Sequence, residues 1–144
     1  MKIFLLLILL TPFIFANGLK TVDTYQEALK IAKQENKIIL FMTSIEGCPV
    51  CDYMKDIVFE KEEVINFLDK NYVVVIKDAE TQIYPQKFYT RDMPTFYFID
   101  PTDEKEIRAP KVGGSTPEKF LTVLENVINT DINSTNQTKK GKEE

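Results

Sequence analysis

The chain has 144 residues, 44% hydrophobic and 28% charged, which suits one ordinary domain with a single core once a leader is removed. A net charge of −4 argues against nucleic acid, whose binding leans on clustered Lys and Arg at phosphates. Histidine is absent from the sequence, which excludes Ser-His-Asp and Cys-His catalysis, His-ligated zinc or copper, and imidazole pH switches.

Residues 1–16 read as a leader. Lys2 gives a short positive start, and an apolar stretch follows over 3–10 and on through Phe13, Ile14, Phe15 and Ala16. The run is short of the about 20 apolar residues that a membrane span needs, and it fits a secretory signal peptide cleaved after Ala16. Export implies a periplasmic chain whose cysteines meet disulfide-forming conditions.

The mature domain is expected over 17–130. Thr21 or Asp23 can cap a first helix through Tyr25, Ala28, Leu29, Ile31 and Ala32, with Asn36 as its stop. Residues 38–42 form a continuous apolar run, the pattern of a strand buried on both faces. Cys48-Pro49-Val50-Cys51 follow at once, with Pro49 suited to a first helical turn. Residues 52–70 read as helical, in two pieces broken around 59–62. A second strand is expected over 72–76, a short helix near 86–89 and a third strand over 95–99. A fourth strand over 107–112 pairs as a hairpin, Gly113-Gly114 mark a bend, and Ser115 or Thr116 caps a final helix through Phe120, Leu121, Leu124 and Val127. Residues 131–144 are polar and without periodicity, and read as a disordered tail. The order α-β-α-β-α-β-β-α implies an α/β fold with a central mixed sheet of about four strands flanked by helices.

The sequence has two cysteines, both in this motif. At a strand-to-helix junction, the first sulfur sits where free backbone N–H groups and the helix dipole favour a thiolate. Cys48 is therefore the candidate nucleophile on a substrate disulfide, and Cys51, one turn on, the thiol that resolves the mixed disulfide. Other readings stay open. A purely structural disulfide would close a very short loop for little entropic gain. A closed tetrahedral metal site needs four ligands, which the chain lacks, although a two-thiolate copper(I) site is possible in principle.

The stretch TYQEALKIAKQENKIILFMTSIEGCPVCDYMK (24–55) resembles exported bacterial thioredoxin-like proteins, and is similar to the C-terminal reductase domain of DsbD-type electron transporters. VFEKEEVINFLDKNYVVVIKDAE from Val58, Met93-Pro94-Thr95 before FYFID, and Val112-Gly113-Gly114 before the last helix extend the likeness across about residues 21–129. It implies the thioredoxin fold. By itself Pro94 reads as a strand-start proline. The resemblance makes it a cis-proline facing Cys48 and Cys51, with the Met93 backbone pairing a substrate strand. Two positions depart from the family. Gly47 replaces an aromatic residue before the first cysteine, and Met42 replaces a buried acid that helps move the second cysteine's proton. Glu46 is the candidate substitute for that proton relay.

The resemblance implies a thiol–disulfide oxidoreductase acting on exported protein substrates. The chain has no flavin or nicotinamide motif, so its redox group is the cysteine pair itself, with neither cofactor nor metal, recharged by an upstream membrane electron donor. Glu46, Asp52 and Asp92 lie near the pair in sequence or in the expected fold and oppose a thiolate, which favours a reductant or exchanger over a strong oxidase. The alternative is a non-catalytic binding protein on the same fold, its cysteines structural or copper-holding. Asp131-Ile132-Asn133-Ser134-Thr135 also matches an extended bacterial N-glycosylation acceptor pattern.

Overall fold

The computed structural model describes residues 18–140, with side chains through residue 132. The expected leader, residues 1–16, lies outside the described residues. Helix α1 (Tyr25–Glu35) is capped by Thr24, whose hydroxyl accepts from the Glu27 N–H at 3.1 Å. The expected caps, Thr21 and Asp23, do not serve. Thr21 instead bridges Val74 in parallel, and the Val22 N–H donates to the Val74 carbonyl at 2.9 Å. Asn36 ends α1 at φ 53°, the left-handed conformation that asparagine tolerates.

Strand β1 (Ile38–Ser44) is buried at all seven positions, as its unbroken apolar run requires of a central strand. It pairs in parallel with β2 (Tyr72–Asp78) and antiparallel with β3 (Thr95–Ile99). The last strand, β4 (Lys111–Val112), pairs antiparallel with β3, giving the sheet order β2-β1-β3-β4. The fourth strand is shorter than the expected 107–112. Glu106 bridges Ile99, and the Ile107 N–H reaches the Phe98 carbonyl at 2.8 Å, but Pro110 has no N–H to continue the ladder.

Between β1 and β2 lie α2 (Pro49–Tyr53), a π-helical turn (Met54–Val58) and α3 (Glu62–Asn71). The break falls at 59–61, where the sequence places it. The π turn was not expected. The Phe59 N–H bonds the Met54 carbonyl at 2.9 Å, five residues back. A 3₁₀ turn (Gln86–Phe88) precedes β3.

Helix α4 spans Pro117–Lys140. Thr116 stands before it, its hydroxyl accepting from the Lys119 N–H at 3.4 Å. The helix corrects the expectation that regular structure stops at residue 131. Once Phe120, Leu124 and Val127 are packed, a helix propagates into polar sequence at one hydrogen bond per residue, without a new nucleus. The Asn133 side chain lies outside the described side chains. Among the described residues no helix is long and apolar enough to cross a membrane.

Alternation along the strands splits the core into two layers. Leu40, Met42, Val74, Phe96 and Phe98 face α3, α4 and the cysteine helix, while Ile39, Phe41, Val73, Val75 and Tyr97 face α1 and Phe88. Six phenylalanines (41, 59, 88, 96, 98 and 120) are fully buried, each contributing about 1.5–3 kcal/mol at most. The register sets Ser44 against Asp78 and Thr43 against Thr95. The end of β1, the end of β2 and Pro94 thus share one end of the sheet, and the cysteine motif leaves from there.

Candidate active site

Three segments build the site. The first is the turn from β1 into α2. Gly47 adopts φ +70°, which a residue with a Cβ adopts only under strain. This is a local reason for glycine where the family carries an aromatic residue. The Asp78 carboxylate accepts from the Glu80 N–H (2.9 Å), the Thr81 N–H (3.0 Å) and the Thr81 hydroxyl (3.0 Å), and the nearby Glu46 N–H adds to their pull on its pKa. Partial desolvation pulls the Asp78 pKa upward, but these hydrogen bonds outweigh it and hold the carboxyl below its ordinary value.

Cys48 is the N-cap of α2, extended at φ −94° and ψ 103°. Its Sγ accepts from the Cys51 N–H at 3.2 Å, and Pro49 fills the first turn. The two cysteines are joined as a disulfide, with Cα atoms 5.2 Å apart. They differ in exposure: Cys48 is half-buried, whereas Cys51 is completely buried. Cys51 belongs to one apolar cluster with Met42, Met54, Phe59 and Phe96, and Cys48 packs against that cluster from outside. Met42, at the position of the family's acid, is itself fully buried, so no carboxylate stands there for the Cys51 proton.

The second segment is Met93-Pro94. Their peptide bond is cis, Pro94 is buried, and Met93 packs half-buried against the cluster that holds Cys51. The third is the turn after β4, a feature of the site not assigned from sequence. The Gly113 N–H donates to the Pro94 carbonyl at 2.8 Å, and the Ser115 N–H to Met54 Sδ at 3.3 Å. The glycine turn thus touches both other segments.

Cys48, Cys51, Met93 and Pro94 are therefore brought to one end of the sheet. Glu46 shares the turn, but it is exposed while Cys51 is fully buried. Asp52 pairs with Lys55 at 2.9 Å, so its charge is partly offset instead of acting on Cys48 alone. Among the described residues, no group of three or more His, Cys, Asp or Glu side chains is placed to hold a metal. The part that Asp78 and the glycine turn play in the site escaped the sequence because it depends on contacts between distant segments. The available signals were an Asp ending a β-branched strand and a Gly-Gly pair before a helix cap.

Residues 25–128 match the family model of the thioredoxin-like domain. The chain is 32% identical over 82 residues to spermatogenesis-associated protein 20 of Mus musculus, covering 55% of this chain and 10% of that protein. It is 28% identical over 91 residues to anterior gradient protein 3 of Xenopus tropicalis, covering 61% and 54%. The chain thus spans about a tenth of the first relative and about half of the second. In structure it is similar to a thioredoxin from Thermus thermophilus, with a TM-score of 0.66 at 24% identity over 77% of this chain and 88% of that one. It is also similar to the oxidised DsbD C-terminal domain of Neisseria meningitidis, with a TM-score of 0.55 at 17% identity over 74% and 98%. At these identities the structures establish the fold, and the family match covers most of the chain: it belongs to the thioredoxin-like family.

Proposed function

We propose that the protein is a thiol–disulfide oxidoreductase that reduces or exchanges disulfides of exported proteins through Cys48 and Cys51. The observation that carries this reading is the asymmetry of the pair: a half-buried Cys48 at a helix start, bonded to a completely buried Cys51. A thiolate at Cys48 gains from the free N–H groups of the first turn, while Cys51 is shielded from anything but Cys48.

In the reducing direction the Cys48 thiolate attacks one sulfur of a substrate disulfide. That S–S bond breaks, a mixed disulfide forms, and the departing substrate thiolate takes up a proton. Cys51 then gives up its proton and attacks Cys48 Sγ, expelling the second substrate thiolate, which is protonated in turn. Two electrons have passed to the substrate, and the Cys48–Cys51 disulfide remains. A dithiol donor must return it to the reduced form, and we assign that part to an upstream membrane partner. The periplasmic location rests on the apolar leader sequence. Met93 and Pro94 form the edge on which a substrate strand lies, Met93 offering its backbone groups.

The reducing direction is supported by the apolar setting of Cys51. The test is catalysed reduction of insulin with dithiothreitol as donor, together with the midpoint potential of the pair. Turnover that disappears in Cys48→Ser supports the exchange reading. A potential near roughly −120 mV, the range of the strongest oxidases, overturns the reducing direction.

A further inference from the structure

A lysine on an edge strand ordinarily extends its ammonium into water. Lys111 does not. It opens β4 opposite Phe96, and its ammonium folds back to donate to the carbonyls of Gly113, Gly114 (3.1 Å) and Val112 (3.4 Å). The same nitrogen lies 5.4 Å from the centroid of the Phe96 ring. It forms no ion pair with a carboxylate among the described residues, and burial lowers its pKa from the ordinary lysine value. Three backbone acceptors therefore take the place of a counter-ion. The turn that gathers them passes through Gly113 at φ +79°.

These three carbonyls belong to the segment that joins the rest of the site. The Gly113 N–H holds the Pro94 carbonyl, Gly114 abuts Val50 between the two cysteines, and the Ser115 N–H holds Met54 Sδ. We propose that Lys111 is a positioning residue of the exchange site. By collecting the carbonyls of 112–114 on its ammonium, it holds the glycine turn as a fixed wall between Pro94 and the cysteine helix, and a protein substrate docks against that wall. The inference rests on the exchange function proposed above. A small disulfide needs only Cys48, and a bound polypeptide needs the wall as well. Lys111 therefore sets affinity for protein substrates and leaves the chemistry of the sulfurs alone.

The test compares wild type with Lys111→Met, which keeps the stem over Phe96 but removes the donors, and with Lys111→Arg, which restores them. One arm needs no activity: amide hydrogen exchange at Gly113 and Ser115 in the oxidised protein. The other compares reduction of insulin with reduction of oxidised glutathione. In Lys111→Met, exchange at both amides speeds up and the KM for insulin rises, each roughly tenfold, the scale of one charge-assisted hydrogen bond. The kcat for insulin and the rate with oxidised glutathione stay unchanged, and Lys111→Arg restores both altered quantities. Unchanged exchange and KM in Lys111→Met overturn the proposal. Equal slowing toward both disulfides overturns it too, since Lys111 would then support the dithiol generally, and so does failure of Lys111→Arg to rescue. If wild type reduces neither disulfide, the exchange function fails, and the amide-exchange arm still decides whether Lys111 fixes the turn.

Discussion

Gly114 and Val50 meet so closely that a Cβ on Gly114 would lie 2.7 Å from Val50 Cγ1. The contact joins the glycine turn to the residue between Pro49 and Cys51, and real Cβ atoms essentially never approach so near. Gly114→Ala is therefore expected to push the cysteine helix from its place. The cost is about 1–3 kcal/mol of stability, the range for overpacking. Val50→Ala removes the obstructing methyl, so the double variant recovers at least half of the loss. Urea denaturation of the four proteins in a double-mutant cycle measures this, and additive losses would show that the contact is not what Gly114 protects.

Gly47 makes a different kind of demand. A Cβ there meets nothing within 4 Å, so the constraint is the backbone at φ +70° and not space. Gly47→Ala is expected to cost about 1–2 kcal/mol, the penalty for an L-residue in the left-handed region. The comparison is by urea denaturation of the oxidised proteins. A cost near zero would mean that the turn relaxes to another conformation at no expense.

Asp78, opposite Ser44 at the end of β2, orders the turn that runs beside the one leading to Cys48. Its carboxyl is held below the ordinary value of 3.8, so its contribution to stability is complete well above that pH. The contribution is lost as pH falls through the lower folded value and the carboxylate protonates. Asp78→Asn is expected to be less stable than wild type at pH 7 by about 1 kcal/mol, a modest figure because the group is partly exposed. The gap closes in strong acid. Denaturation midpoints for both proteins across the acid range check this, and a gap independent of pH would contradict it.

The apolar setting of Cys51 predicts a slow second half-reaction. Burial of Cys51 among apolar side chains favours the neutral thiol, and at the position of the family's acid stands the buried Met42 in place of a carboxylate. Breakdown of the mixed disulfide by Cys51 is therefore expected to quicken roughly tenfold per pH unit from neutral into mild alkali, following the thiolate fraction. Rapid-quench alkylation after mixing with insulin measures it. A rate already flat at pH 7 would show that another group, Glu46 included, serves as the base.

Much of this architecture was legible in the sequence because its signals are local. A continuous apolar run into Cys-Pro-Val-Cys announces a central strand followed by a helix, and Met-Pro-Thr before an aromatic strand announces the third strand's start. What escaped depends on register or on side chains reaching across it. Lys111 is unremarkable until β4 is placed beside Phe96, and Asp78 until its strand ends beside Ser44. Thr21, Asp23 and Thr24 stand in similar local context, and what separates the cap Thr24 from Thr21 is the long-range bridge of Thr21 to Val74. β4 is shorter than the apolar pattern over 107–112 suggests, because Pro110 has no N–H to carry the ladder. α4 runs on past residue 131 because polar sequence that continues a packed helix needs no nucleus of its own.

The most direct test of the account is the fate of the Cys51→Ser variant. The reduced variant, incubated with an oxidised protein extract or with insulin, should attack through Cys48 and then stall, since no second thiol can release the substrate. Non-reducing electrophoresis and mass spectrometry should show mixed disulfides at Cys48, released by dithiothreitol and absent from the Cys48→Ser,Cys51→Ser double variant. A folded Cys51→Ser variant whose Cys48 alkylates freely yet forms no mixed disulfide would contradict the assignment of Cys48 and Cys51 as an exchange pair.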